Sequence, residues 1–332
     1  MPSPDATDAT GTPRADRAVV RPRPHPDVPL DLSTLDPDEL AAATARVVAA
    51  ALAEDLAEVG DRTSLATVPA EASGRAELLA RAEGVLAGSA VVAETCRQVD
   101  PTIDVELRMA DGDAVAVGDV VAVLAGPLRS VLTAERTLLN LLTGLSGVAT
   151  LTRRFTDALE GTGCVVRDTR KTTPGLRLLE KAAVRAGGGV CHRVGLHDHV
   201  LVKENHVAAA GGVGPAARAA LDHAAAADVP VHVQVEVTTL AEAEEALAEG
   251  VVDLLLDNFT PQRLADAVVA IDGRAGVEAS GGITLATARA FAEAGADRLA
   301  VGALTHSAPA LDLALDVTQV DPTSAPDATA GG

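Results

Sequence analysis

Lysine is the rarest basic residue of this 332-residue chain, and its positions point to chemistry. The three lysines, Lys171, Lys181 and Lys203, fall within one short window of an acidic protein whose formal net charge is −20. They stand beside Gly, Pro and apolar segments rather than on the polar surface of a helix. The window therefore predicts a pocket for a polyanion in preference to a solvated basic face.

The same window supplies the side chains of a cationic wall. Arginine offers a planar fork that grips a carboxylate or phosphate with two hydrogen bonds, whereas lysine acts as a point charge. Both types together indicate ligands with more than one anionic group. The predicted wall consists of Arg170, Lys171, His192, Arg193 and Lys203. Arg177 is expected to reach the site from the next helix, and Lys181 is expected at the surface or between helices.

Two carboxylates, Glu236 and Asp257, end neighbouring predicted strands and are expected to point into the same mouth. Paired acids suit Mg²⁺ with a substrate diphosphate, hydrogen bonds to sugar hydroxyls, or stabilisation of developing positive charge. An ion pair with a nearby basic residue is the structural alternative. Gln234, two residues before Glu236, is expected on the same face of its strand.

Glycine-rich turns close the last two predicted strands, at Ser280-Gly281-Gly282 and at Val301-Gly302-Ala303. Glycine lets a ligand approach the backbone, and free amides at a helix start favour phosphate. A phosphate site is predicted here, with two ordinary strand-to-helix turns as the alternative. His197-Asp198-His199 offers too few ligands for a zinc site.

The pattern of apolar runs shows which elements must position these residues. Such runs occur at 163–167, 199–202, 231–235, 252–256, 276–278 and 298–301, and segments of helical periodicity separate them. Strands that alternate with helices predict parallel βα units, and this many units favour a barrel. The candidate residues follow the carboxyl ends of the strands, which form the active face of such a barrel.

The first hundred residues of the folded part have a mixed pattern. A helix is predicted from Leu40 to Val59, followed by short strands broken by Asp111-Gly-Asp113 and Val117-Gly-Asp119. This stretch is similar to a carrier domain but contains no lysine for a cofactor, so it is interpreted as scaffold. Glu135-Arg136 is predicted to begin a helix at the domain junction. The polar tails, 1–29 and 320–332, are expected to be disordered.

Composition excludes several classes of function. The chain has no Trp or Tyr and 3 Phe, which argues against stacking on single-stranded nucleic acid, and its acidity argues against duplex binding. Cys96, Cys164 and Cys191 lack metal-ligand spacing and indicate a reducing compartment. No apolar run is long enough to span a bilayer and no signal core is found, so a soluble cytoplasmic protein is expected.

Several motifs occur in a fixed order: Asp168-Thr-Arg-Lys-Thr-Thr-Pro-Gly-Leu-Arg177, Leu179-Glu-Lys-Ala-Ala-Val184, Gly187-Gly-Gly189, His192-Arg-Val-Gly-Leu196 and Lys203-Glu-Asn-His206. Upstream stands Glu135-Arg-Thr-Leu-Leu-Asn140, and downstream stand Val235-Glu-Val237, Leu256-Asp-Asn258, Ser280-Gly-Gly282 and Val301-Gly-Ala-Leu-Thr-His-Ser307. With these motifs the chain, from about Leu40 to Val317, closely resembles the quinolinate phosphoribosyltransferase family, also called nicotinate-nucleotide pyrophosphorylase (carboxylating).

The resemblance implies a reaction, a fold and an assembly. The reaction takes quinolinate and phosphoribosyl pyrophosphate, with Mg²⁺, to nicotinate mononucleotide, pyrophosphate and CO₂ in NAD synthesis. The implied fold is α/β: an incomplete α/β barrel over 138–304 beside an open α/β sandwich over 30–137, which 305–319 joins. The implied homodimer brings Arg136 into the neighbouring subunit's site.

The resemblance also implies roles for individual residues. Thr169 belongs to the substrate-binding set, and Arg136, Arg170, His192 and Arg193 would bind the quinolinate carboxylates. Lys171 and Lys203 would bridge quinolinate and the phosphates. Glu236 and Asp257 would serve the ribose and Mg²⁺, and these two acids with the two lysines form the catalytic set. The 5′-phosphate would lie against Ser280, Gly281, Gly282, Val301, Gly302 and Ala303.

Departures from the family pattern are few. Cys191 replaces a usual Asn, Gln234 replaces a frequent Glu, and the loop 57–61 differs. Two alternative functions remain open at this point: a related pyrophosphorylase acting on another nitrogen heterocycle, and an aldolase that forms a Schiff base on Lys203. A non-catalytic binding protein is disfavoured because the predicted mouth keeps its reactive residues.

Overall fold

The protein, described here by a computed structural model over residues 25–321, consists of an antiparallel sheet with helices and a parallel α/β unit. The first part contains α1 (Pro37–Leu56), α2 (Arg62–Thr67), β1 (Ser73–Ala80), β2 (Gly84–Val85), α3 (Ser89–Val99), β3 (Asp104–Leu107), β4 (Ala114–Val115), β5 (Val120–Pro127) and α4 (Leu128–Ala158). Its main sheet has the order β12-β1-β5-β3, in which β12 (Leu313–Val320) returns from the far end of the chain.

The second part is built from parallel βα units. Its elements are β6 (Val165–Arg167), α5 (Arg177–Ala186), β7 (Val200–Val202), α6 (Glu204–Ala210), α7 (Val213–Ala225), β8 (Val233–Val237), α8 (Leu240–Ala248), β9 (Asp253–Asp257), α9 (Pro261–Ile271), β10 (Gly276–Ser280), α10 (Leu285–Glu293), β11 (Arg298–Ala300) and α11 (Ala303–His306). The sheet order is β6-β11-β10-β9-β8-β7.

This strand order makes the barrel incomplete. The last strand, β11, pairs with the first, β6, but β6 and β7 are the two edges of the described sheet. Val190, which lies between α5 and β7, forms a single parallel bridge to Arg167 and partly fills the gap. The predicted α/β fold with an incomplete barrel is confirmed, and each predicted apolar run contains one of the six strands or most of it.

One long helix connects the two parts. Helix α4 has 31 residues; Leu138 and Leu142 pack in the core of the first part, and Val148 and Phe155 pack in the barrel core. The predicted helix start at Glu135-Arg136 is wrong, because α4 begins at Leu128. The expected domain boundary at 137/138 lies within this continuous helix.

The described ends of the chain are packed against the fold. Val28 and Leu32 are buried, and the Arg167 guanidinium donates hydrogen bonds to the backbone oxygens of Pro29 and Leu30. At the other end, Ser73 binds the Asp321 carboxylate. The parts of the expected tails at 25–29 and 320–321 are therefore ordered, because buried donors and the sheet edge hold them. The remaining tail residues, 1–24 and 322–332, lie outside the described residues. Within the described chain, every helix is too short or too polar to cross a bilayer.

Candidate active site

A cavity of about 280 Å³ opens at the carboxyl ends of the barrel strands. It gathers side chains from the turns after β6 and β7, from the segment between α5 and β7, and from strands β7, β9, β10 and β11. Its lining residues are Thr169, Arg170, Lys171, His192, Arg193, Leu201, Lys203, Leu255, Ser280 and Ala300. The structure thus brings together all five residues of the predicted cationic wall, although 27 basic residues face 47 acidic ones in the whole chain.

Hydrogen bonds fix the turn that carries Arg170 and Lys171. The Lys171 amide donates to the Thr169 hydroxyl at 3.0 Å, and the Lys171 carbonyl accepts from the Thr305 hydroxyl at 2.8 Å. The buried Nε of Arg170 has no hydrogen-bond partner in the described chain. A buried donor without a partner is costly, so this atom favours an anionic ligand in the cavity.

Arg177 supports this turn from outside the cavity. Its guanidinium donates to the Thr172 hydroxyl at 3.0 Å and to the Val194 carbonyl at 3.1 Å. It therefore links the turn after β6 to the segment that carries Arg193. Arg177 was expected to reach the site, but its side chain supports the turn from outside the cavity.

His192 and Arg193 line the cavity from the segment between α5 and β7. Burial lowers the pKa of His192 to about 4, so the imidazole is neutral at neutral pH. The prediction that His192 is a cation of the wall is therefore wrong. Burial and the neighbouring Arg170 lower the pKa of Arg193, which as a guanidinium keeps its charge. The Arg193 Nη1 donates to the His199 carbonyl at 3.0 Å.

Lys203 follows β7 and forms an ion pair with Glu236 on the adjacent strand β8. Its backbone amide donates to the His206 Nδ1 at 2.9 Å, so His206 holds this turn. Glu236 is opposite Leu255 on β9, and Asp257 is two residues further along. Strand geometry then separates the Cα atoms of Glu236 and Asp257 by about 8 Å, with both side chains on one face.

These two carboxylates fit a magnesium ion that also binds substrate oxygens. The Asp257 Oδ2 accepts from the Asn258 side chain at 2.6 Å, and one oxygen of Glu236 accepts from Lys203, which leaves the second oxygen of each acid available. Mg²⁺ commonly takes one or two carboxylates and completes its coordination with water and phosphate. No cluster of three or more His, Cys, Asp or Glu within residues 25–321 is arranged to hold a metal alone.

The glycine turns approach the cavity closely. Gly281 has φ +95°, and a Cβ there would overlap the Asn258 side chain, so this position requires glycine. A Cβ on Gly302 would lie 3.0 Å from the Lys171 Cδ, which brings the turn after β11 next to the lysine. Gly282, Val301 and Ala303 continue the same two turns, before α10 and in α11. Their role in binding phosphate stays a prediction.

Arg136 lies apart from this cavity. It is exposed on α4 and lines a separate surface depression with Asp61, Arg62 and Thr133. A role for Arg136 within the same chain's cavity therefore gains no support from the structure.

The structure also corrects the expectation for Lys181. Its side chain is 0% exposed, donates to the Asp168 carboxylate at 2.6 Å and donates to the His192 carbonyl at 2.9 Å. The Asp168 carboxylate accepts in addition from the His192 amide at 2.8 Å. Lys181 therefore supports the His192 segment from inside the barrel. This supporting role was not evident in the sequence, where Lys181 lies next to the acidic Glu180 in the same turn of α5.

A second buried charge network was missed by sequence reasoning. Arg167, on β6, pairs with Glu278 on β10 at 2.9 Å, and Arg298 pairs with Asp253, with all four side chains at most 1% exposed. The sequence feature that could have revealed this network is a charged residue within each of the short apolar strands β6, β9, β10 and β11. Asp198, between His197 and His199, accepts hydrogen bonds from the Val194 and Gly195 amides and so caps a turn.

Comparison with known proteins places these features in a family. Residues 61–146 match the model for the quinolinate phosphoribosyl transferase N-terminal domain, and residues 148–316 match the model for the C-terminal domain. A nicotinate-nucleotide pyrophosphorylase [carboxylating] of Mycobacterium leprae is 45% identical over 273 residues, which cover 80% of this chain and 94% of that protein.

Two further relatives agree in sequence and in fold. A probable nicotinate-nucleotide pyrophosphorylase [carboxylating] of Bacillus subtilis is 41% identical and covers 78% of this chain and 88% of its own. The solved nicotinate-nucleotide pyrophosphorylase of Francisella tularensis superposes with a TM-score of 0.78 at 35% identity, over 88% of this chain and 99% of that chain.

Proposed function

The chain belongs to the quinolinate phosphoribosyltransferase family, and from that premise we propose how its own residues perform the family reaction. The protein is a decarboxylating pentosyltransferase of NAD biosynthesis, which converts quinolinate and phosphoribosyl pyrophosphate to nicotinate mononucleotide, pyrophosphate and CO₂. The observation that carries the residue assignment is the single cavity lined by Arg170, Lys171, Arg193 and Lys203.

The cationic side chains would hold quinolinate by its carboxylates. Arg170 and Arg193 are close enough for their charges to interact, and the unpartnered Nε of Arg170 supplies a ready donor. Two guanidinium groups this close repel each other, and a dicarboxylate between them relieves that repulsion. The pyridine nitrogen would then face the ribose C1, and holding the two reactants in this orientation would lower the activation barrier.

Lys171 and the glycine turns would bind the phosphoribosyl part. Lys171 lies against Gly302, and Thr169 and Ser280 line the same cavity. When bound, Mg²⁺ would offset the charge of the leaving pyrophosphate, with Glu236 and Asp257 as its protein ligands or as hydrogen-bond acceptors for the ribose hydroxyls.

The bond changes follow from this placement. The quinolinate nitrogen forms a bond to the ribose C1 as the bond from C1 to pyrophosphate breaks, and the carboxylates of Glu236 and Asp257 stabilise the positive charge that develops on the ribose. The alkylated ring is a pyridinium, which accepts the electron pair left when the adjacent carboxylate departs as CO₂. A proton then adds to that ring carbon. We place Lys203 beside this carboxylate because it stands between the cavity and Glu236.

We also propose a homodimer in which Arg136 completes the neighbouring subunit's site. The exposure of Arg136 on α4, away from its own chain's cavity, supports this arrangement. A cytoplasmic location is proposed as well. It is supported by Cys96, Cys164 and Cys191, which are all free thiols, and burial raises the pKa of each.

The decisive assay measures CO₂ released from carboxyl-labelled quinolinate by the purified full-length protein. Release is expected only when phosphoribosyl pyrophosphate and Mg²⁺ are both present, with nicotinate mononucleotide formed in equal amount. Nicotinate offered in place of quinolinate should give no nucleotide, because it lacks the second carboxylate for the arginines. Equal turnover of nicotinate, or no release from quinolinate, would contradict the proposal.

A further inference from the structure

The buried interior of the barrel contains a hydrogen-bonded chain that ends at the cavity. It runs from Arg167 through Glu278 and Gln234 to His192. Arg167, Glu278 and Gln234 are at most 1% exposed, and His192 is 5% exposed. Because buried polar groups must satisfy one another, the donor at one end dictates the direction of every bond along the chain.

The first link is an ion pair. The Arg167 guanidinium can only donate, and its Nη1 lies 2.9 Å from the Glu278 Oε2. Burial alone would raise the pKa of Glu278, but the charges of Arg167, of His192 in its protonated form and of Arg298, together with the Gln234 hydrogen bond, lower it to about 2. Glu278 is therefore a carboxylate and can only accept.

The second link orients the Gln234 amide. Its Nε2 donates to the Glu278 Oε2 at 2.7 Å, because a carboxylate requires a donor. The amide oxygen must then face the other way, where it lies 2.9 Å from the His192 Nε2. An amide oxygen accepts and cannot donate, so the His192 Nε2 carries a proton.

The third link fixes the other nitrogen of the ring. The backbone amide of Arg193 donates to the His192 Nδ1 at 2.8 Å. This amide can only donate, so the Nδ1 carries no proton. Both ring nitrogens are therefore engaged by the protein itself, and the imidazole has neither a charge nor a free nitrogen to offer a ligand.

We propose that Gln234 is a positioning residue that holds His192 as the neutral Nε2–H tautomer, so that His192 orients Arg193 and does not bind quinolinate through its ring nitrogens. The proposal deepens the function proposed above and rests on it for the identity of the ligand. The amide of Gln234 is suited to this role because it donates to Glu278 and accepts from His192 at the same time. The oriented Arg193 backbone then directs the guanidinium, whose Nη1 is fixed by the His199 carbonyl, into the cavity.

The tautomer can be tested without any assay of activity. The full-length protein, labelled with ¹⁵N in histidine, is examined by NMR at neutral pH, and the His192 resonances are identified by their loss in His192→Ala. The expected spectrum is that of a neutral ring protonated on Nε2, both in the free protein and with saturating quinolinate. An imidazolium, an Nδ1–H tautomer, or protonation of the ring when quinolinate binds would overturn the proposal.

The positioning role is tested by Gln234→Met, which keeps the length of the side chain and removes both hydrogen bonds. The KM for quinolinate is expected to rise by about three- to tenfold, and the KM for phosphoribosyl pyrophosphate should stay unchanged. The matched control is Gln98→Met, on α3, where the lost bonds are to the Ala45 carbonyl and Glu94. It should leave both KM values at their wild-type level.

Failure of this proposal can be told apart from failure of the proposed function. A folded Gln234→Met protein with wild-type KM for quinolinate refutes the positioning role, although CO₂ release continues. Absence of CO₂ release from the wild-type protein refutes the function, although the spectrum still reports the tautomer. If Gln234→Met does not fold, the wild-type spectrum alone decides between the two tautomers.

Discussion

At the scale of residues, two of the lysines hold a carboxylate and the third faces the glycine turn. Lys181 pairs with Asp168 inside the barrel, Lys203 pairs with Glu236 at the rim, and Lys171 lies against Gly302. The sequence placed Lys171 and Lys203 in the cationic wall but did not predict the buried position of Lys181. Burial separates them, since Lys181 is 0% exposed and the side chain of Lys203 is 46% exposed.

Replacing Lys203 tests the catalytic assignment. In Lys203→Met the charge beside Glu236 is lost, and kcat is expected to fall by at least about a hundredfold with folding intact. Steady-state CO₂ release measures the fall, and far-UV circular dichroism checks the fold. The matched control is Arg218→Met, which removes the exposed ion pair with Glu249 on the outside of the same barrel. Near-normal turnover in Lys203→Met would refute the role of this lysine.

Replacing Lys181 should affect stability. In Lys181→Met the Asp168 carboxylate remains buried without its cation, and the free energy of unfolding is expected to fall by about 3–5 kcal/mol. Urea unfolding followed by circular dichroism is the suitable measurement, because the chain has no Trp or Tyr. Adding Asp168→Asn to the variant should recover part of the loss. A single variant as stable as the wild type would mean that the pair is not buried as described.

The depressed pKa of His192 predicts a dependence of stability on pH. Burial lowers this pKa from 6.5 to about 4 in the folded state, so the unfolded chain binds the proton first as the pH falls. The stability associated with the neutral ring is complete above pH 6.5 and declines towards pH 4, by about 2 kcal/mol between pH 7 and pH 5. Comparing the free energy of unfolding of the wild type with that of His192→Asn across this pH range isolates the contribution of His192.

A steeper loss of stability in wild type than in His192→Asn over this range is the expected result. His223→Asn, on an exposed position of α7, serves as the control and should follow the wild type. Identical pH dependence in wild type and His192→Asn would contradict a depressed pKa.

At the scale of elements, the segment 28–33 supports the cavity across the open side of the barrel. The Leu32 amide donates to the Cys191 carbonyl at 2.9 Å, and the Ser33 hydroxyl donates to the His192 carbonyl at 3.3 Å. Asp31 accepts from the Cys191 amide at 3.2 Å and from Arg185 at 2.8 Å. These bonds hold the segment that carries His192 and Arg193 where strand pairing between β6 and β7 is missing.

Asp31→Ala tests this support. The loss of its bonds to Cys191 and Arg185 is expected to cost about 1–2 kcal/mol of stability and to raise the KM for quinolinate several-fold. Thermal unfolding and steady-state kinetics measure the two effects. Asp27→Ala, at an exposed position just before this segment, should change neither quantity. Equal behaviour of the two variants would show that the segment does not act on the cavity.

The regular elements could be predicted from sequence, and the support between them could not. Six strands followed from their apolar runs, and the positions of Lys171, Lys203, Glu236 and Asp257 followed from the rule that reactive residues lie after parallel strands. Residues 25–29 belong to a tail whose composition predicts disorder, and the buried guanidinium of Arg167, which binds the Pro29 carbonyl, explains why they are ordered. Such long-range contacts leave no periodic signal in the sequence.

At the scale of the whole molecule, the assignment of Arg136 to a neighbouring site can be tested by mixing two inactive variants. Arg136→Ala keeps an intact cavity, and Lys203→Met keeps an intact Arg136. If the site is shared, random exchange of subunits should restore about a quarter of wild-type activity, since half of the dimers are mixed and each has one complete site. No recovery after unfolding and refolding the mixture together would refute the shared site.

Helix α4 limits how the molecule can be divided. The family models meet between residues 146 and 148, in the middle of this helix, although its leucines serve the cores on both sides. A recombinant fragment that starts at 148 would lose about two thirds of α4, which spans Leu128–Ala158, and the complementary fragment would expose the apolar face of the helix at its carboxyl end. Both pieces should aggregate when expressed separately, and the two halves should melt in one calorimetric transition.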